Sequence, residues 1–247
     1  MDIIFSSSRG RHLAEPLKKI HPTPSKLRVF SKGGGSLEWL QHSAYRFLEN
    51  TSDPTNCHIY FFAGLCDISQ MDKNRDRYNM RYEEVTYWET PNSTITRMSN
   101  LIDDISSHIL YMGAKPCFAT ILPSSLRTWN EHRLDKKCTS MLLFSELYDS
   151  MQENMNKSIF EINRYITSVN ASNDMVTPFV ANTIIEYRGE KAPRVFFNRF
   201  SDGVHPPTEK PRTLINKISK RFFHAINLNR KFDKPNDSYE YITLDSE

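Results

Sequence analysis

Residues 57–63 read CHIYFFA, the most strand-like run in the chain, and the run ends at Gly64. It is apolar throughout and lacks the alternation of a strand that has one face in water. Strands of a parallel sheet that is covered by helices on both faces have this composition. The run therefore predicts a buried strand of an α/β sheet.

Other short apolar runs lie on both sides of residues 57–63, separated by stretches with helical spacing. We predict further strands over residues 2–5, 27–31, 115–122 and 179–187. We predict helices near residues 10–20, 94–112, 137–169 and 208–226, and another that follows the glycines at 33–35. This alternation predicts a three-layer α/β/α domain with a mostly parallel five-stranded sheet.

The polar stretches of the chain suggest where this domain is interrupted and where it ends. Residues 70–91 break the strand–helix pattern and are interpreted as an insertion. We assign residues 1–228 to one domain and the polar residues 229–247 to a flexible C-terminal tail. Because the first predicted strand starts at Asp2, we expect the chain to be a domain of a larger polypeptide.

Composition excludes several classes of protein. The 247 residues include 32 Lys and Arg against 29 Asp and Glu, a net charge of +3. This balance argues against a dedicated nucleic-acid or membrane-surface protein, and no apolar run reaches the roughly 18 residues of a membrane span. The cysteines form no C-x-x-C pair, which predicts neither a metal site nor a disulfide framework. No signal peptide is recognisable, so we expect a cytoplasmic or intracellular setting.

Chemically useful residues follow several of the predicted strands, and one further group precedes the last helix. These segments are SSSRG at 6–10, GGGS at 33–36, GLCD at 64–67 and SDGVHP at 201–206. Functional residues of open α/β sheets collect where the strands end. A serine, several glycines and an Asp/His pair supply a nucleophile, backbone donors for an oxyanion and an oriented base, which are the parts needed for acyl transfer.

The positions of these residues suggest their roles. Ser8 would lie at a strand-to-helix turn, where a helix N-terminus favours negative charge. The glycines at 33–35 would let the backbone approach a ligand closely. Asp202 and His205 are three positions apart, so a turn can place the carboxylate on one ring nitrogen while the other nitrogen faces Ser8.

Taken together, the segments resemble those of the SGNH (GDSL-type) hydrolases, a superfamily of esterases, lipases, acetylhydrolases and thioesterases with a flavodoxin-like α/β/α fold. IIFSSSRGRHL at 3–13 resembles the first block of that family, and SKGGGSL at 31–37 resembles the second. FFAGLCDIS at 61–69 resembles the Gly-x-Asn-Asp block, and DGVHPP at 202–207 the Asp-x-x-His block. The resemblance spans residues 2–226.

The resemblance implies a role for each of these residues. It assigns the catalytic triad to Ser8, Asp202 and His205. Oxyanion stabilisation falls to Ser8, Gly34 and Cys66, and substrate binding to Gly35, Gly64 and Asp67. Cys66 departs from the family pattern, because an asparagine stands at this position in the family and a thiol is a weak hydrogen-bond donor.

The resulting prediction is a serine esterase that acts on small or short-chain esters, such as O-acetyl groups, without a cofactor or metal. The alternative is a catalytically weakened SGNH-like domain that serves as a binding module in a larger viral or mobile-element protein. The Cys66 replacement supports that alternative. The oligomeric state stays open.

Two groups of side chains near these segments have two interpretations each. The basic group Arg9, Arg11, Lys18 and Lys19 is interpreted as a solvated helix face, with attraction of an anionic substrate as the alternative. The aromatic residues of the insertion could either line the pocket or pack the insertion down. They are Tyr78, Tyr82, Tyr87 and Trp88.

Overall fold

The computed structural model describes residues 1–75, 81–134, 144–188, 191–206 and 213–232. Its strands are β1 (Asp2–Ser7), β2 (Leu27–Lys32), β3 (His58–Phe62), β4 (Gln70–Arg75), β5 (Arg81–Thr86), β6 (Lys115–Phe118), β7 (Ile185–Arg188) and β8 (Lys191–Val195). Its helices are α1 (Ala14–Ile20), α2 (Leu37–Glu49), α3 (Leu65–Ile68), α4 (Pro91–Tyr111), α5 (Leu126–Leu134), α6 (Tyr148–Ser172) and α7 (Thr213–Phe232).

A parallel sheet of four strands lies at the centre, in the order β2-β1-β3-β6. β3, which contains most of the CHIYFFA run, is an inner strand, and all five of its residues are buried. Strand β1 pairs on both sides, with Phe5 opposite Phe30 of β2 and Phe61 of β3. The prediction of a buried parallel strand over this run is confirmed.

Successive side chains of the inner strands enter two separate cores. Phe5 and Phe61 belong to a core that includes residues of α2, α4 and α6. Ile4 and Tyr60 belong to a second core with residues of α7 and the region of α1. The sheet is therefore covered on both faces, and the three-layer α/β/α prediction is confirmed.

The prediction of a fifth strand in this sheet is wrong. Within residues 179–187, only the last part is extended, as β7, and it pairs antiparallel with β8 in a separate hairpin. The preceding residues touch the β6 region through a hydrogen bond from the Thr120 N–H to the Pro178 oxygen (3.2 Å). The chain then turns into a short 3₁₀ helix at Ala181–Thr183.

Two asparagines of α6 occupy the edge of β6 and of the residues that follow it, where a fifth strand would pair. The Asn170 amide accepts from the Phe118 N–H (2.9 Å) and donates to the Phe118 oxygen (2.8 Å). Asn163 makes the same pair of bonds with Ile121, at 2.6 and 3.0 Å. Because a side-chain amide offers the same donor and acceptor as a peptide unit, the edge is satisfied without another strand.

The segment predicted as an insertion, 70–91, contains the antiparallel hairpin β4–β5. Asn130 of α5 fixes the hairpin, because its amide accepts from the Val85 N–H and donates to the Val85 oxygen, both at 2.8 Å. At the C-terminal end, α7 continues to Phe232 and so includes the first residues of the predicted tail. Residues 208–212 of the predicted last helix and 233–247 of the tail lie outside the described residues.

No helix among the described residues has the length and apolar character that a membrane crossing requires.

Replacing Asn170 with Ala leaves the Phe118 N–H and oxygen unpaired in the interior. We expect the free energy of unfolding to fall by about 2–4 kcal/mol, because hydrogen bonds are lost and buried polar groups stay unsatisfied. Urea denaturation measures this change. Ser172→Ala, at an exposed position of the same helix, is the control, and a similar loss in both variants would contradict the edge-capping role.

Candidate active site

The carboxyl ends of β1, β2 and β3 meet at one edge of the sheet, and the residues that follow them surround a cavity. Ser8 follows β1 directly and begins a turn of 3₁₀ helix, Ser8–Gly10. Gly33 and Gly34 follow β2, and Cys66 lies in α3, shortly after β3. All four residues line the same cavity, of about 590 Å³.

A chain of hydrogen bonds joins Ser8, His205 and Asp202. Ser8 Oγ lies 2.9 Å from His205 Nε2, and His205 Nδ1 lies 2.7 Å from Asp202 Oδ2. A carboxylate only accepts, so Nδ1 carries the hydrogen of a neutral ring, and Nε2 is left to accept from the Ser8 hydroxyl. The structure thus brings together the three residues predicted as a triad.

The second oxygen of the Asp202 carboxylate is bound to the backbone. Asp202 Oδ1 accepts from the N–H groups of Val204 (3.0 Å) and His205 (2.7 Å). Burial alone would raise the pKa of Asp202, but the hydrogen bonds from the His205 ring and from these two N–H groups lower it below its ordinary value. Asp202 is therefore ionised at neutral pH and fixed in orientation.

Gly203 packs the Asp202–His205 loop against the start of α5. The Ser125 N–H donates to the Gly203 oxygen (2.9 Å), and Gly203 has a φ of +82°. A Cβ at this position would lie 2.9 Å from Thr128 Cβ and 3.0 Å from the Ser125 oxygen. A side chain would both strain the backbone and displace the loop, so glycine is required here.

Gly34 follows β2 and lines the same cavity as Ser8. It has a φ of +67°, and no heavy atom lies within 4 Å of the place where its Cβ would be. Backbone conformation, rather than lack of space, therefore calls for glycine at this position. The segment exposes main-chain groups to whatever occupies the cavity.

The hairpin β4–β5 and helix α5 supply much of the apolar lining of the cavity. Met71 and Val85 come from the hairpin, and Leu126 and Trp129 come from α5. The Trp129 ring lies 5.4 Å from the His205 ring, between centroids. Within the described part of the chain, no group of three His, Cys, Asp or Glu side chains is placed to hold a metal ion.

Comparison with known proteins finds similarity only at the level of structure, since no family model and no curated protein matches the sequence. A Bacteroides fragilis protein described as an acylhydrolase superposes with a TM-score of 0.56, at 13% identity over 93% of this chain and 86% of that chain. A GDSL-like lipase from Bacteroides thetaiotaomicron gives 0.54, at 14% identity over 94% and 88%. A member of the lipolytic G-D-S-L family from Veillonella parvula gives 0.53, at 11% identity over 92% and 97%.

The chain has the SGNH-hydrolase fold. The likeness covers nearly the whole chain. At these low identities the likeness establishes the fold alone. Evidence about the chemistry comes from the residues of the cavity.

Cys66 stands in this SGNH fold at the position predicted to assist an oxyanion. It is a free cysteine that lines the cavity, and the residue as a whole is exposed. Burial of the sulfur raises the pKa of the Cys66 thiol, and the neighbouring Asp67 carboxylate raises it further. Cys66 is therefore a neutral thiol at physiological pH, with little nucleophilic character.

The three residues predicted to bind substrate lie outside the cavity lining and shape the turns beneath it. Asp67 accepts from the Leu37 N–H with both carboxylate oxygens, at 3.0 and 2.8 Å. The Gly35 N–H donates to the Lys32 oxygen (3.1 Å). A Cβ on Gly64 would lie 2.5 Å from Ile121 Cδ1. Asp67 thus ties the segment after β3 to the start of α2, beside the glycines.

Two cavity residues escaped the sequence analysis or were given another role there. Trp129 was not singled out, although it follows the strand-then-proline segment ATILPSS at 119–125 at the same sheet edge. Arg9 was interpreted as part of a solvated helix face, but it is only 5% exposed and lines the cavity. Of the insertion's aromatic residues, Tyr87 packs inward, with its hydroxyl 2.9 Å from Thr94 Oγ1 and 2.8 Å from Ser158 Oγ.

Asp67 predicts a measurable pH dependence of stability. Burial raises the pKa of Asp67 to about 6, above its value in the unfolded chain, so the folded state holds the proton more tightly. This contribution to stability is complete below about pH 4 and is lost as the pH rises through about 6.

We therefore expect the free energy of unfolding of the wild type, minus that of Asp67→Asn, to decrease from pH 4 to pH 6. Urea denaturation at several pH values measures it. Asn100→Ala, at an exposed position on α4 that carries no titratable side chain, should give a flat difference. A flat difference for Asp67→Asn as well would refute the assignment.

Proposed function

We propose that the chain is a serine hydrolase that cleaves small or short-chain esters, with Ser8 as its nucleophile. The observation that carries this proposal is the continuous hydrogen-bond chain from Ser8 Oγ through His205 to Asp202 at the cavity. Each atom has the partner that its role requires. The base is 2.9 Å from the hydroxyl it would deprotonate, and the base is itself oriented by an ionised carboxylate.

In the first half of the reaction, Ser8 Oγ attacks the ester carbonyl carbon while His205 Nε2 takes the hydroxyl proton. The carbonyl π electrons move onto oxygen, which becomes an oxyanion. When the tetrahedral species collapses, the bond to the alcohol oxygen breaks and His205 returns its proton to that oxygen. The alcohol leaves, and the acyl group stays on Ser8.

In the second half, a water molecule takes the place of the alcohol. His205 removes a proton from the water, whose oxygen attacks the acyl carbon. Collapse of this second tetrahedral species breaks the bond to Ser8 Oγ, and His205 returns the proton to Ser8. The products are a carboxylic acid and the free enzyme, and Asp202 stabilises the protonated ring in both halves.

The proposed oxyanion donors are the backbone N–H groups of Ser8 and Gly34, together with the Cys66 thiol. The left-handed backbone of Gly34 in the cavity lining supports this role for its N–H. The Cys66 thiol is the weak member of the set. Losing one good oxyanion donor costs about 10²–10³ in rate in other serine hydrolases, so we expect a slow but genuine esterase.

Replacing Ser8 with Ala removes the nucleophile, and we expect kcat for a short-chain 4-nitrophenyl ester to fall by at least about 10³. Release of 4-nitrophenol measures the rate, and covalent labelling by a fluorophosphonate probe reports the nucleophile directly. The neighbouring Ser7 makes no side-chain cap hydrogen bond, so Ser7→Ala is the matched control and should keep its activity. Equal hydrolysis by Ser8→Ala and the wild type would overturn the proposal.

Replacing Cys66 with Asn supplies a strong side-chain donor at the cavity. We expect kcat to rise by about 10- to 100-fold, because the donor would act on the charge that develops in the transition state. Cys66→Ala is the control, and it should change kcat by less than about threefold, since a thiol donates weakly. A wild type that is neither labelled by the fluorophosphonate nor active, with Cys66→Asn equally inert, would favour the binding-module alternative.

A further inference from the structure

Arg9, the residue after the proposed nucleophile, is a buried cation that pairs with no carboxylate of the described residues. It is 5% exposed, and its guanidinium donates to the backbone oxygens of Leu122 and Pro123. The guanidinium carbon lies 5.4 Å from the centre of the Phe200 ring. Its Nε atom is buried and has no hydrogen-bond partner among the described residues. No described Asp or Glu lies within ion-pair distance of Arg9.

This guanidinium keeps its charge at neutral pH. Burial lowers the pKa of Arg9 to about 10, which still leaves the group protonated under physiological conditions. The Asp202 carboxylate interacts with it electrostatically, but that carboxylate is bound to His205 through a 2.7 Å contact. Burying a charge without a counter-ion is costly, so an anion that enters the cavity would compensate an existing deficit.

The described lining of the cavity is positively charged and contains no acidic side chain. Arg9 and Arg11 both line it, near Ser8 in the sequence. Arg11 also lies close to the glycine segment, with its Nη2 atom 3.5 Å from the place where a Cβ of Gly33 would be. A cavity lined by one sign of charge attracts ligands of the opposite sign.

In the structure, the basic group Arg9, Arg11, Lys18 and Lys19 separates into two pairs with different surroundings. Lys18 and Lys19 are exposed on α1, and Lys19 pairs with Glu15 at 3.1 Å. They form a solvated helix face, as predicted. Arg9 and Arg11 instead line the cavity, so the alternative of anion attraction applies to these two residues.

The same cavity also has an apolar part to its lining. Leu65, Met71, Val85 and Leu126 suit an uncharged acyl group. The cationic residues are then left for the alcohol part of the ester.

We propose that the preferred substrates are anionic esters, in which the alcohol carries a carboxylate or phosphate that Arg9 and Arg11 bind. This inference rests on the proposed esterase function and adds its substrate class.

The test compares two acetate esters of similar shape, 4-acetoxybenzoate and the neutral 4-acetoxybenzamide. Values of kcat/KM are divided by the rates of hydroxide hydrolysis, which corrects for the leaving groups. We expect the wild type to prefer the anionic ester by about tenfold or more, the effect of one hydrogen bond to a charged group. Arg11→Gln should remove most of this preference, whereas Lys18→Gln, which removes the same charge outside the cavity, should retain it.

Arg9→Gln should weaken the preference as well, and Arg11→Gln, at an exposed position, keeps the test valid if the Arg9 variant does not fold. 4-Acetoxyphenyl phosphate distinguishes phosphate from carboxylate, and a preference for either anion that falls in Arg11→Gln supports the proposal. Equal corrected values of kcat/KM for the charged and neutral esters, or a preference unchanged in Arg11→Gln, would overturn it.

A binding measurement separates this inference from the proposed function. Calorimetry on Ser8→Ala compares 4-hydroxybenzoate with 4-hydroxybenzamide and needs no turnover. A wild type that hydrolyses neither ester, together with tighter binding of the benzoate that Arg11→Gln abolishes, would end the esterase proposal and leave anion recognition standing. Hydrolysis without any difference between the two ligands would end the anion proposal alone.

Discussion

Backbone pairing of β1 with a parallel strand on each side is the constraint on which the site depends. Ser6 is in register with Ser31 of β2 and with Phe62 of β3, so three strands end at nearly the same level. The residues that follow these strand ends therefore lie at the same edge of the sheet, close to one another. Ser8, Gly34 and Cys66 meet for this reason, and only the Asp202–His205 loop has to be delivered from a distant part of the chain, 197 positions away from Ser8 in the case of His205.

Much of this arrangement could be predicted from the sequence, because its causes are local. The apolar run at 57–63 requires burial on both faces, which fixes the layer architecture around it. The spacing of Asp202 and His205 lets a single turn place the carboxylate on the ring, and that contact is 2.7 Å. The contact between Asp202 and His205 could be predicted from local spacing, whereas the pairing of His205 with Ser8 was implied by the family resemblance.

The features that sequence analysis missed depend on contacts between distant segments. The fifth strand was predicted from apolar character, but Asn163 and Asn170 already satisfy the edge it would have joined. The sequence pattern does not show that two asparagines on a helix make the hydrogen bonds that a neighbouring strand would make. In the sequence, Arg9 resembles any basic residue of an amphipathic turn. In the structure, it is buried because its guanidinium donates to the carbonyl oxygens of Leu122 and Pro123.

The asparagines on α6 also affect how the protein can associate with others. An unpaired strand edge is a template on which another chain can add a strand. At β6 that template is occupied by side chains that belong to the fold itself, whereas β2 ends the sheet on the other side. Growth of this sheet by strand addition, in an oligomer or in an aggregate, is thereby confined to one direction, the side of β2.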